Sequence, residues 1–157
     1  SVDIFVSGIN TAGKGGLKVL NNDFYGRRGG NNLNYAVEID GAATYQLRGN
    51  FIEGSNSFEL RNTGLDLFSR GNLVSCNTIN NSRYGMRFRE NNAGLKFSGN
   101  VFTGDDISGS SIFVDGTVDL FQGNASQPAN NRFSTVEQSS HKDISVDPNS
   151  PPFNYYY

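Results

Sequence analysis

Two short segments pair an aromatic ring with guanidinium groups. Residues 24–34 carry Tyr25, Arg27 and Arg28 among glycines and asparagines, and residues 77–84 end in Arg83 and Tyr84. A flat ring stacks on a sugar face, and a neighbouring guanidinium grips an anionic group. These five residues are therefore the candidate glycan contacts. Both segments read as excursions from a scaffold, the usual seat of binding groups, although plain solvated loops would look the same. Other reactive side chains are sparse. The one histidine, His141, lies in the polar run Ser139-Ser140-His141-Lys142. The one cysteine, Cys76, has no partner for an internal disulfide and reads as a small buried hydrophobe rather than a reactive thiol. No Cys/His set has zinc spacing, and no glycine-rich loop opens a helix as a phosphate cradle would. Nothing in the pattern calls for a cofactor.

The elements that would hold these groups are set by a repeat. The same phrase returns five times: GLKVLNN (16–22), TYQLRGN (44–50), GLDLFSRGN (64–72), GLKFSGN (94–100) and TVDLFQGN (117–124). Each opens on Gly or Thr, alternates apolar and polar residues and closes on Asn. The closing residues are Asn22, Asn50, Asn72, Asn100 and Asn124, spaced 28, 22, 28 and 24 apart. Self-similarity on this period marks a stacked architecture, in which one unit buries its apolar face only against its neighbours. An amide both donates and accepts, so Asn side chains stacked at the strand spacing of about 4.8 Å would bond in a ladder. Asn also tolerates the left-handed backbone of a tight corner. That accounts for the five residues without any ligand.

A second strand precedes each phrase: IFVSG (4–8), VEIDG (37–41), FELRN (58–62), MRFRE (86–90), IFVDG (112–116) and ISVDP (144–148). Alternation points Val37/Ile39, Met86/Phe88, Ile112/Val114 and Ile144/Val146 inward on these strands. It points Leu17/Val19, Tyr45/Leu47, Leu65/Leu67, Leu95/Phe97 and Val118/Leu120 inward on the Asn-ended ones. A further apolar residue after each Asn (Phe24, Ile52, Val74, Phe102) marks a third short strand. Helices find no place, because Gly and Asn are frequent and no apolar stripe runs for three turns. The expected fold is all-β, a right-handed parallel β-helix of about five to six coils. It would be one domain over 1–157, or part of a longer solenoid, with a first coil over 1–15, core coils over 16–126, and a loop and last coil over 127–157.

Composition agrees with a narrow, turn-rich core. Hydrophobic residues make up only 36% of the 157 residues, while 19 are Gly. With Lys+Arg 13 against Asp+Glu 15 there is no basic excess for nucleic acid, and no apolar run approaches the ~18 residues of a membrane span. The chain opens on Ser1, which reads as processing or excision from something longer. Charges fall on outward positions. They are expected to pair between neighbouring coils as Glu59 with Arg87, Asp40 with Arg61, Arg89 with Asp115, and Lys96 between Asp66 and Asp119. The competing reading is a polyanion-binding strip around Arg61, Arg83, Arg87 and Arg89.

The two-strand coil closing on Asn resembles the right-handed parallel β-helix superfamily, the pectate-lyase-like fold. It is most similar to β-helix segments of large bacterial secreted and surface proteins. The resemblance implies an extracellular or cell-surface location and an architectural or adhesive role. The implied partners are flanking domains of the same protein or identical subunits, and surface glycans. The superfamily also holds polysaccharide lyases and hydrolases, so a lyase, hydrolase or epimerase is the alternative, with a glycan-binding module as a third class. Polygalacturonase-like members use paired carboxylates as acid and base. Gly104-Asp105-Asp106 is the nearest match, but the companion Asn-Thr-Asp, Gly-His-Gly and Arg-Ile-Lys motifs are absent. Pectate-lyase-like members hold calcium on clustered carboxylates. Glu38, Asp40 and Glu59 come closest, and Arg or Lys interrupts each outward column. The expectation is therefore no catalytic and no metal-binding residue.

Overall fold

The computed structural model describes residues 16–25, 35–40, 44–54, 63–104, 109–135 and 142–157, and among these it contains strands and no helix. One sheet stacks β1 (Leu17–Leu20), β4 (Tyr45–Arg48), β7 (Leu73–Ser75) and β10 (Lys96–Ser98) in that order. A second stacks β2 (Asp23–Tyr25), β5 (Phe51–Glu53), β8 (Thr78–Asn80), β11 (Val101–Gly104) and β14 (Arg132–Thr135). A third stacks β3 (Tyr35–Ile39), β6 (Thr63–Leu67), β9 (Tyr84–Asn91), β12 (Ser110–Thr117) and β15 (Lys142–Val146). The short strands β13 (Phe121–Gln122) and β16 (Asn154–Tyr155) pair with each other. All these pairings are parallel. The chain visits the three sheets in turn and climbs one strand per circuit. The result is a parallel β-solenoid, with β4–β6, β7–β9 and β10–β12 as three turns in its body.

Register turns alternation into columns. In the third sheet Val37, Leu65, Met86, Ile112 and Ile144 lie one over the next, as do Ile39, Leu67, Phe88, Val114 and Val146. The second sheet contributes Phe24, Ile52, Ile79, Phe102 and Phe133, and the first Val19, Leu47, Val74 and Phe97. The columns converge on one apolar core, except that Val146, expected inward, is exposed at the end of its column. Each fully buried aliphatic side chain contributes about 1.5–3 kcal/mol. Tyr45 is the largest polar intruder, and its hydroxyl donates to Asn92 Oδ1 at 2.9 Å. Gly71 lies against the Tyr45 ring, where a Cβ would collide.

An amide ladder runs along the corner between the first and second sheets. Its rungs are Asn22, Asn50, Asn77, Asn100 and Asn131, 28, 27, 23 and 31 residues apart. Each Nδ2 donates to the Oδ1 of the next rung, at 2.9–3.2 Å. The same Oδ1 accepts the backbone N–H of the rung before it. From Asn50 onward, Nδ2 also donates to a carbonyl one turn back: Val19, Leu47, Val74 and Phe97 in succession. Asn50, Asn77 and Asn100 are thus buried with both amide donors and the oxygen engaged. The residue before each rung forms one column, Asn21, Gly49, Cys76, Gly99 and Asn130, and every member has a positive φ between 52° and 68°. Glycine reaches that region without strain, and Asn more readily than most residues.

Two rungs differ from the sequence expectation. Asn72 and Asn124 are exposed and stand outside the ladder. The phrase GLDLFSRGN spans two sheets: residues 64–67 belong to β6 in the third, and the first-sheet strand is β7, beginning at Leu73. Gly71-Asn72 therefore precedes the strand, and the corner falls at Cys76-Asn77. Gly123-Asn124 opens a turn instead, in which Asn124 Oδ1 accepts from the backbone N–H groups of Ser126 and Gln127. It follows that Cys76 is exposed at a corner rather than buried, and that Ile79, not Val74, fills the second-sheet column. Leu120 is exposed, and Gln122 turns inward in its stead, accepting from the Phe97 N–H and donating to the Leu95 carbonyl. Ala129, Asn131 and β14 draw part of the expected 127–142 loop into the stack. The strands expected at 4–8 and 58–62 lie outside the described residues.

Replacing Asn77 with Ala removes the oxygen that accepts both Asn50 donors. We expect a loss of about 2–5 kcal/mol in chemical denaturation, given roughly 1–3 kcal/mol per stranded buried group. Asn72→Ala should stay within about 0.5 kcal/mol of the parent. Equal losses for the two variants would contradict this ladder.

Candidate functional site

The densest set of charged and aromatic side chains lies on the outer face of the third sheet. Leu65 and Leu67 of β6 point into the core, so Asp66 between them points out. In register with Asp66 are Glu38 on β3 and Arg87 on β9, and Arg87 is followed in the column by Phe113 on β12. The neighbouring column holds Arg89 opposite Asp115. The ion pairs cross this register. Arg87 reaches Asp115 at 2.5 Å, and Arg89 reaches Asp66 at 2.9 Å. The Arg89 guanidinium also lies 4.6 Å from the centre of the Phe68 ring.

Asp66 is fully buried despite its outward direction. Its contact with Arg89 is an ion pair without hydrogen-bond alignment, and neither carboxylate oxygen has a hydrogen-bond partner. The Nε atoms of Arg83, Arg87 and Arg89 are likewise buried and unbonded. Burial pushes the Asp66 carboxyl up to about 6. Arg89 and then Arg87 pull against that rise, while Glu38 and Asp115 add to it. The local field of two cations thus fails to offset the loss of water. A carboxyl titrating there has the acidity of a general acid or base. Sealed from solvent, however, it offers a substrate no approach in this arrangement.

Beside the ion pairs lies an aromatic–guanidinium group. Tyr84 at the start of β9 and Phe113 on β12 have ring centres 5.3 Å apart. The Arg87 guanidinium lies 5.8 Å from the first ring centre and 5.4 Å from the second, and Arg83 lies 5.4 Å from Tyr84. Arg83 and Tyr84 are therefore together, as their adjacency requires, with Arg87 and Phe113 joined to them. Tyr25 is elsewhere, exposed at the end of β2 in the second sheet with its ring 5.9 Å from Phe51. Of the segment 24–34 only Phe24 and Tyr25 are among the described residues. Arg27, Arg28, Glu59, Arg61, Asp105, Asp106 and His141 lie outside the described residues.

The charge pairing differs from the sequence expectation in one instructive respect. Asp66 was expected on the Asn-ended strand between Lys96 and Asp119, but it sits on the other strand beside Arg87 and Arg89. The signal for this is in the sequence. Residues 64–68 (GLDLF) align with residues 85–89 (GMRFR), glycine over glycine, which sets Asp66 against Arg87. Arg89 neighbours Asp115 in register, as expected, but pairs with Asp66. Among the described residues no group of three His, Cys, Asp or Glu side chains could hold a metal ion, and no helix is long and apolar enough to cross a membrane. No protein-family model, curated protein or solved structure matches the chain.

Asp66 gives stability a defined pH dependence. Its folded pKa of about 6 lies above its ordinary unfolded value near 4, so between those values the folded state holds the extra proton. Stability from this group is greatest below about pH 4 and declines by about 2–3 kcal/mol in full as pH rises past 6. Asp66→Asn cannot ionise. Its denaturation midpoint should rise relative to the parent's as pH climbs from about 4 to 7. Parallel pH profiles for the two proteins would remove Asp66 from this role.

Proposed function

We infer that this chain is an architectural module, a right-handed parallel β-helix of five to six coils belonging to a larger secreted or cell-surface protein. The observation that carries this reading is the continuous amide ladder over aligned apolar columns. It commits the corner residues and the core to stacking, and it recurs without a break from Asn22 to Asn131. The polar side chains of highest charge support it as well. Arg87, Arg89, Asp66 and Asp115 are engaged with one another, and Asp66 is closed to solvent. A scaffold of this kind serves extension, adhesion or assembly, with flanking domains or identical subunits as partners and no catalytic set of its own. The pectate-lyase-like superfamily is the parentage that best suits the three-sheet circuit.

A second reading is favoured by one observation. The Tyr84–Phe113 pair with Arg83 and Arg87 is a partly exposed aromatic–guanidinium surface on the third sheet. Such a surface suits an acidic surface glycan, with the rings against the sugar and a guanidinium on its anionic group. In that case the module would be adhesive through this face.

The readings separate in one experiment. Purified protein is incubated with a panel of acidic polysaccharides, with and without calcium, and assayed for chain cleavage, and in parallel it is read on a glycan array. The architectural reading expects no cleavage. The adhesive form of it expects array signal that falls about tenfold or more in Tyr84→Ala with Arg83→Ala, since losing ~1.4 kcal/mol of contact energy gives that factor. Cleavage abolished by Arg87→Ala would establish an enzyme instead.

A further inference from the structure

The amide ladder does not simply fade at its last rung. Asn131 Nδ2 makes the two donations of any ladder amide, one to the Phe97 carbonyl one turn back and one forward. The forward acceptor is not another asparagine. It is the Tyr155 hydroxyl, at 2.8 Å. In every preceding step that forward Nδ2 donation goes to the Oδ1 of the next rung. A phenol oxygen therefore occupies the acceptor place of the next rung. It brings no amide with which to reach back to a carbonyl or forward to a further Oδ1.

The segment that carries Tyr155 covers this end of the first sheet. β16 pairs with β13, and the Tyr156 backbone binds both Gln122 and Ala129, accepting from the Ala129 N–H. Phe153 and Tyr155 pack on the core, both against Phe97, with ring centres 6.2 and 6.0 Å away. The other two sheets end on strands that carry known deterrents to edge pairing. β14 is four residues long and exposes Arg132, and β15 exposes Lys142 and Asp143. Beyond β15 come Pro148, Pro151 and Pro152, which have no N–H to offer a neighbouring strand.

We propose that Tyr155 terminates the amide ladder and that residues 147–157 form a cap, closing this end of the solenoid to stacking by a second copy of the chain. The proposal rests on the ladder's hydrogen bonds and is independent of whether the module is architectural or glycan-binding. It gives the solenoid a polarity: association through stacked strand edges is disfavoured at the Tyr155 end.

The test uses the full chain in two variants. Tyr155→Phe removes only the acceptor oxygen, and Phe153→Ser with Tyr155→Ser removes the aromatic cover. Hydrogen exchange followed by NMR should show the Asn131 side-chain amide exchanging about tenfold faster in Tyr155→Phe, the scale of one lost hydrogen bond. Sedimentation velocity over a concentration series should show one species for the parent and concentration-dependent larger species for the double variant. Two results would overturn the proposal. One is unchanged exchange at Asn131 in Tyr155→Phe. The other is a double variant whose Gln122 and Ala129 amides exchange faster, so that the cover has lifted, while its size stays that of the parent. Should the double variant lose its β-sheet circular dichroism, the sedimentation arm passes to Phe153→Ser alone, where faster Gln122 and Ala129 exchange with a parent-like size counts against the cap.

Discussion

One carboxamide oxygen per turn governs the corner of this solenoid. It must accept two hydrogens, one from the backbone and one from the side chain of the rung before it, while its own amide reaches back to a carbonyl. That arrangement has little tolerance in position. It requires a left-handed residue immediately before the asparagine, so that the chain turns sharply from the first sheet into the second. It also fixes the axial register of every turn, since a slip would leave two donors and an acceptor buried without partners, each at roughly 1–3 kcal/mol. Apolar columns alone would not do this, because a hydrophobic contact is non-directional and tolerates sliding. Burial drives the stack together, and the amide oxygen decides which residue lies over which.

The irregular spacing of the rungs follows from the same constraint. From β1 to β11 the corner is always two residues: 21–22, 49–50, 76–77 and 99–100. The differences among 28, 27 and 23 residues per turn are taken up in the other two connections. The longest turn, 31 residues to Asn131, takes its extra length between β13 and Asn130, where the chain makes a turn and then re-enters the same two-residue corner. Loop closure grows more costly only slowly with length. A solenoid can therefore vary its connections widely while holding one corner fixed, and one of those connections ends in Arg83, beside Tyr84 at the start of β9.

Much of this was legible in the sequence, and the misses are informative. Alternation gave the inward residues of β3, β4, β9 and β12 directly, because period two survives in strands of four residues or more. The ladder was read from Gly-Asn and Asn-Asn endings, which are the commonest solutions of a left-handed residue followed by an amide. Cys76 satisfies the same backbone requirement against its preference, and so Cys76-Asn77 was passed over. Gly71-Asn72 has the right composition in the wrong place: Gly71 is needed small, under the Tyr45 ring, and does not turn the corner. Composition reports what a position permits, while register reports what it does. The Asp66 cluster was missed for the same reason. The phrase GLDLFSRGN sets Asp66 on the Asn-ended strand, and there its neighbours are Lys96 and Asp119 rather than Arg87 and Arg89. Its burial is not legible in the alternation, which marks it as outward; in the fold Arg89, itself over the Phe68 ring, lies against it.

The contrast between the ladder and that cluster explains why the repeated corner residue is an amide and not an acid. Stacked carboxylates would stand about 4.8 Å apart, and two like charges at that distance repel by about 3 kcal/mol at an effective dielectric constant of ~20. Repetition would compound the penalty along the stack. A neutral amide carries both hydrogen-bond roles, so each rung is satisfied by an identical neighbour and the motif can recur without limit. Asp66, the one carboxylate buried among the described residues, shows the alternative. Asp66 needs two arginines and still titrates near 6, because burial outweighs both. Ionic solutions of that kind must be composed residue by residue, with opposite charges on adjacent strands, and cannot be copied from turn to turn. The repeating part of the protein is accordingly neutral and fully bonded. The ion pairs among the described residues lie on the outer face of the third sheet, where the partners differ from level to level of the stack.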